Sequence, residues 1–145
     1  MFSKACEYGI RASIFIAIKS RLDIRVSLND IARETDLPVS FTAKILQTLV
    51  KEKIIDSLKG PTGGFEIKKS KAGKIKLSQI VTAIDGDSIY KSCGLGFENC
   101  SEKNPCSLHF KFIPVKDAMR KMLEDTTLLE LSDDINNGLT FLIQK

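Results

Sequence analysis

The run Lys59-Gly60-Pro61-Thr62-Gly63-Gly64 does most to limit what this chain can fold into. Glycine and proline at such density cannot continue a helix, and the run sits between two short stretches that read as strands, Ile54–Leu58 and Phe65–Lys68. A hairpin is therefore expected, with residues 59–64 at its tip. Lys59, Lys68, Lys69, Lys71, Lys74 and Lys76 surround it against a single acid, Glu66, so this projection should lie near phosphates.

The sequence before the hairpin has helical period. Ser27 and Asp30 form a short-armed capping box, and Leu28, Ile31 and Ala32 continue a helix from it. Asp36 and Leu37 make a turn. Pro38 suits the first turn of the next helix, where its missing amide hydrogen would have had no partner. In that helix Phe41, Ile45 and Leu49 recur every four residues, with Leu46 and Val50 beside them, and predict one apolar face. Ser40, Lys44, Gln47 and Lys51 share another face, which presents hydroxyl, amide and ammonium groups outward. Two helices joined by a tight turn and followed by a hairpin make a winged helix-turn-helix.

The rest of the chain completes a mainly helical protein. A first helix capped by Ser3 is expected to run to about Ser20, apolar on more than one face through Ala5, Ile10, Ala12, Ile14, Phe15, Ile16, Ala17 and Ile18. Cys6 reads as a small buried residue of that helix. Leu77, Ile80, Val81 and Ile84 mark a fourth helix, stopped by Gly86. From about Cys106 a long helix should pass through Phe112, Val115, Met119, Met122 and Leu123, with Pro114 either kinking it or marking its true start. Thr127 and Glu130 predict the cap of a last short helix, its apolar side formed by Ile135, Leu139, Leu142 and Ile143.

Composition bounds the class of protein. Of the 145 residues, 43% are hydrophobic and 28% charged, the balance of a globular chain rather than a disordered one. No apolar run approaches the roughly 20 residues that span a bilayer, and no signal-peptide pattern stands at the N-terminus, so a cytoplasmic protein with free thiols is expected. Charge is uneven. Residues 1–91 hold 16 Lys and Arg against 10 Asp and Glu, whereas residues 92–145 hold 6 against 8. The basic half should meet a polyanion.

Between the fourth and the long helix lies Cys93-x6-Cys100-x5-Cys106-x2-His109, which contains three of the four cysteines and the only histidine. Thiolates favour iron-sulfur clusters, zinc or copper(I), and a loop rich in Gly, Asn and Pro can wrap a cluster. Zinc ranks lower, because its sites usually include a tight Cys-x2-4-Cys pair. If the segment from Cys106 is helical, His109 stands one turn on and on the same face. The single histidine and the absence of a phosphate-cradling loop leave the usual catalytic constellations unassembled, and no enzyme activity is expected.

The run Val26-Ser27-Leu28-Asn29-Asp30-Ile31-Ala32, then Leu37-Pro38-Val39-Ser40-Phe41, Lys44-Ile45-Leu46, Leu49 and Lys59-Gly60-Pro61-Thr62-Gly63-Gly64-Phe65 resembles the Rrf-type family of bacterial winged-helix transcription regulators, the group of IscR, NsrR and CymR. Leu77-Ser78-Gln79-Ile80-Val81 with Gly86 extends the likeness, and the Gly-Gly-aromatic wing is its most discriminating motif. The resemblance implies a homodimer on double-stranded DNA, with a DNA-binding unit at residues 1–88, a cysteine-rich sensor loop at 89–109, and a dimerisation helix and C-terminal helix at 110–145. It implies DNA contacts from Ser40, Thr42, Lys44 and Gln47 of the recognition helix and from Lys59, Thr62, Gly63 and Gly64 of the wing. Phe41 and Phe65 stand where many members have Tyr.

The resemblance also implies an iron-sulfur cluster, [2Fe–2S] or [4Fe–4S], on Cys93, Cys100 and Cys106. Its fourth ligand is either His109 or Glu7 of the partner subunit. The first cysteine interval is one residue longer than the usual form of the pattern. Two other readings fit the residues: a metal-free regulator of the same fold responding to thiol chemistry or a metabolite, and a thiol oxidoreductase. The lack of Cys-x-x-Cys weighs against the last.

Overall fold

The computed structural model describes residues 1–96 and 101–143. Helix α1 (Lys4–Arg21) begins where the Ser3 hydroxyl accepts the Cys6 amide hydrogen at 3.0 Å. Its apolar residues cover more than one face, as expected, and Ala12 to Ala17 are all buried. It is the central element of the fold. α2 (Leu28–Thr35) carries the expected capping box: the Asp30 amide donates to the Ser27 hydroxyl at 3.1 Å, and the Ser27 amide to the Asp30 carboxylate at 3.5 Å. Asp36 then takes a left-handed conformation (φ 56°) and turns the chain into α3 (Val39–Lys51), with Pro38 one residue earlier than expected, as the cap.

The wing is two antiparallel strands, β1 (Asp56–Leu58) and β2 (Gly64–Glu66), in a register that sets Ser57 opposite Phe65. Both strands are shorter than the sequence predicts. Ile54 and Ile55 are buried, their amides bonded back to the Leu49 carbonyl at the end of α3, so they close the helix rather than pair with the wing. Ile67 instead enters the core, its amide donating to the buried Ser20 hydroxyl at 2.9 Å. Val26 adds a third rung, exchanging both backbone hydrogen bonds with Phe65 at 3.1 and 2.8 Å. Gly63 and Gly64 make this tight join feasible: a Cβ on Gly63 would fall 2.1 Å from the Leu58 carbonyl oxygen, and one on Gly64 (φ 133°) 2.7 Å from that of Val26. The register also sets Asp56 opposite Glu66. Lys71 at 3.8 Å from Asp56 and Arg25 at 3.2 Å from Glu66 offset this repulsion.

After the wing come α4 (Lys69–Ala72), α5 (Leu77–Asp85), α6 (Ser88–Lys91), α7 (His109–Asp125) and α8 (Leu128–Asn136). Gln79 accepts the Lys76 amide at 2.6 Å to start α5, and Gly86 ends it. α4 and α6, single turns, are absent from the sequence reading. α8 is capped by Thr127 as expected but stops at Asn136, leaving Leu139 72% exposed instead of on an apolar helix side. Pro114 neither starts nor ends α7; it lies inside the helix, which begins at His109.

Two apolar clusters hold these elements. The larger gathers Ile16, Ile31, Leu46, Leu49, Ile55, Ile67, Ile80 and Leu128 from α1, α2, α3, α5, α8 and the residues flanking the wing. The smaller joins Cys6, Leu77, Val81 and Leu123, with Phe2, Ile89, Tyr90 and Met119 packed against it. It fastens the start of α1 to α5, α6 and α7. No helix among the described residues is long and apolar enough to cross a membrane.

Candidate functional site

Two regions carry the residues singled out above. The first is the exposed side of α3 with the wing. Ser40, Lys44, Gln47 and Lys51 are exposed and lie along one narrow stripe of α3, because intervals of four, three and four residues return to nearly the same angle. Lys59 and Thr62 are exposed at the wing tip. Gly63 and Gly64 are half-buried, and their visible task is to let the tip fold.

Thr42 departs from expectation. It is 1% exposed, and its hydroxyl donates to the Pro38 carbonyl at 2.7 Å. The residue lies on the inner face of α3, beside Ile45 and Leu46, and its hydrogen bond holds the first turn of that helix. Phe41 departs in the other direction: it is 42% exposed and meets Tyr8 of α1 edge-on, with ring centroids 5.5 Å apart. Arg25 is exposed at the wing base and paired with Glu66 at 3.2 Å. The β-branched run around it, Ile24 and Val26, is the signal that could have placed it on a strand edge.

The second region is the segment between α6 and α7. Cys93 heads a tight turn in which the Gly96 amide donates to the Cys93 carbonyl at 3.0 Å and the Leu95 amide to the Cys93 sulfur at 3.4 Å. Cys106 comes from the turn that starts α7, where its carbonyl accepts the His109 amide at 3.1 Å. These two cysteines, thirteen residues apart, meet with Sγ atoms 3.4 Å apart, both half-buried and neither in a disulfide. Two thiolates on one tetrahedral metal at about 2.3 Å per bond sit about 3.7 Å apart, so the pair fits a shared metal centre. His109 is half-buried at the first position of α7, its ring edge-on to Phe110. Cys100 lies outside the described residues, and among the described ones no group of three or more His, Cys, Asp and Glu side chains forms a metal site.

The surroundings tie this pair to the helices. Tyr90 of α6 lies under the Arg120 guanidinium of α7 at 4.4 Å, and burial raises its hydroxyl above the usual range. Gly94 rests on the Phe112 ring. Asp85, at the end of α5, accepts hydrogen bonds from the backbone amide and hydroxyl of Ser3, which fixes the start of α1. Glu7, one turn further along α1, is paired with Lys4 at 3.2 Å.

A family model described as Rrf2, iron-dependent transcriptional regulator, matches residues 2–134. The chain belongs to the Rrf2 family. A protein of Aquifex aeolicus named as a candidate HTH-type transcriptional regulator is 31% identical over 133 residues, covering 90% of each chain. The HTH-type transcriptional regulator IscR of Yersinia pestis is 28% identical over 130 residues, 90% of this chain and 76% of that one. Among solved structures, CymR, the global cysteine regulator of B. subtilis, superposes with a TM-score of 0.74 at 21% identity, covering 92% of this chain and 96% of that one. T. potens IscR gives 0.73 at 18% identity, covering 97% and 92%. At these identities the two structures speak for the fold, which is that of an Rrf2-type winged-helix protein. The chain is an Rrf2-family transcription regulator, and this family membership implies DNA binding.

Proposed function

We propose that this Rrf2-family member is a homodimeric regulator whose operator binding is controlled by an iron-sulfur cluster held by Cys93, Cys100 and Cys106. The observation that carries the reading is the meeting of Cys93 and Cys106 at the foot of α7. Either His109 or Glu7 of the partner subunit supplies the fourth ligand. When bound, such a group supplies one-electron redox chemistry and reactivity toward small oxidants.

The chain's own residues divide the work as follows. Residues 1–88 bind DNA through the stripe of Ser40, Lys44 and Gln47, in the major groove, and through Lys59, Thr62 and the backbone at Gly63 and Gly64 in the wing. Residues 89–109 hold the cluster. Residues 110–145 form the dimer contact, supported by the exposure of Phe110, Ile113, Val115 and Met122 on α7, a helix with only Leu123 buried. Were the group held there, it would fix Cys93 and Cys106 relative to each other at the foot of α7. The loop bears on α7 through Gly94 on Phe112 and Tyr90 on Arg120, and α7 sets the spacing of the two recognition helices against half-sites roughly 34 to 36 Å apart.

The test is anaerobic purification with iron and sulfide analysis, coupled to operator binding with and without the cluster. Coloured, iron-containing protein whose affinity changes on cluster loss is expected, and Cys100→Ala should be colourless. Iron-free anaerobic protein with full DNA affinity would sink the cluster reading. Affinity indifferent to cluster state would sink the sensor role even where the metal is real.

A further inference from the structure

The same two cysteines have a second chemistry available when no cluster occupies them. In the folded chain their sulfurs are already in van der Waals contact at 3.4 Å, against the roughly 2.05 Å of a disulfide bond. Two features hold them there. The Cys93 turn is pressed onto Phe112, in the first turns of α7, and Cys106 is fixed by the turn that opens the same helix. Both residues are half-buried rather than enclosed in the core. Closing the remaining gap needs a movement of little more than an ångström, within the reach of side-chain rotation. By contrast Cys6 is fully buried in the smaller core cluster and takes no part.

We propose that Cys93 and Cys106 of the cluster-free protein form an intramolecular disulfide with a two-electron oxidant of the peroxide class. This rests on the reading above for the identity of the cysteine loop, but not on the cluster being present. The attack is assigned to Cys93, whose sulfur accepts the Leu95 amide hydrogen at 3.4 Å. Its Sγ attacks one peroxide oxygen, the O–O bond breaks, and Cys93 becomes a sulfenic acid as one water leaves. The Cys106 sulfur then attacks Cys93 Sγ, the S–O bond breaks, and a second water leaves. In the balance two thiols are oxidised to one disulfide and one peroxide is reduced to two waters. The bridge removes two of the three cluster ligands until a thiol reductant reopens it, so oxidation in the cluster-free state would block reloading.

The experiment uses the full chain, stripped of iron with a chelator under reductant and then treated with hydrogen peroxide. Peptide mapping by mass spectrometry is expected to find Cys93 joined to Cys106 in the wild type and equally in Cys100→Ser, and to find no such linkage in Cys93→Ser or Cys106→Ser. In Cys106→Ser, dimedone should label Cys93. Resistance of Cys6 to a thiol reagent before denaturation shows that each variant is folded. A wild-type bridge to Cys100, a bridge abolished by Cys100→Ser, or folded protein with no linked peptide overturns the proposal. Because the readout is pairing in iron-free protein, its outcome is separate from that of anaerobic iron analysis. A chain that never binds iron can still form the bridge, and a chain that binds iron can fail to.

Discussion

A Cβ built on Gly94 would fall 2.4 Å from Cε2 of Phe112, so the backbone just after the first loop cysteine rests directly on an aromatic ring of α7. Any side chain at position 94 must lift the turn or displace the ring. Gly94→Ala is therefore expected to cost about 1–3 kcal/mol of local packing and to separate Cys93 from Cys106. Iron bound per chain should fall while helix content by circular dichroism stays at the wild-type level. Phe112→Leu added to Gly94→Ala should restore iron, as the two positions are in contact and must couple. Full iron in Gly94→Ala alone would show that the contact does not position the cysteine.

Thr42 and Lys44 are two residues apart on α3 and make opposite predictions. Lys44 is exposed on the outward stripe, so Lys44→Ala should weaken operator binding across all sequences and lower the salt slope by about one per recognition helix. Thr42→Val should leave that slope unchanged but cost about 1 kcal/mol of folding stability, from the hydrogen bond to Pro38. Titrations at several salt concentrations, with urea unfolding of both variants, separate the two roles. A large loss of DNA affinity in a stable Thr42→Val protein would return Thr42 to the contact set.

Where sequence and structure agree, short-range chemistry decides the outcome. The Ser27 box, the Asp36 turn, the wing tip and the Gly86 stop each depend on a few adjacent residues and were legible. Ile54 and Ile55 were not, because β-branched residues suit a strand and a core equally, and only packing against residues remote in sequence, such as Ile16, Ile80 and Leu128, selects the core. The burial of Thr42 is not legible, because a hydroxyl on a helix can face outward or bond the preceding turn, and sequence does not say which. The loop is the extreme case. Its cysteines announce ligand chemistry, but the turn after Cys93 rests on Phe112, an apolar residue with no motif to mark it.

Asp30 gives an acid-side prediction. The Ser27 hydroxyl and then its backbone amide favour the ionised carboxylate, with Arg33 adding at 2.9 Å, and hold its pKa below the usual range. A folded pKa below the unfolded value of about 3.9 contributes stability that is present above that pH and lost as pH falls through the folded value. The stability difference between wild type and Asp30→Ala should thus be constant near neutrality and shrink only below about pH 4. Urea unfolding across acid pH measures it; a gap that closes near neutrality would show that another group controls it.

Cys6 gives the alkaline counterpart. Burial first, then the Asp85 carboxylate, pushes its thiol from 9.0 up to about 12. The folded chain holds this proton more tightly than the unfolded one, so the associated stability is complete below pH 9 and declines as pH rises from there toward 12. The difference in unfolding free energy between wild type and Cys6→Ala should narrow over that interval. At pH near 8 the native thiol should ignore a disulfide reagent that labels Cys93 and Cys106, and should react once urea unfolds the chain. Labelling of Cys6 in the native protein as fast as in the unfolded one would mean that the smaller cluster opens at the start of α1. The anchoring of α7 to α1 and α5 through Leu123 would then be weaker than the packing implies.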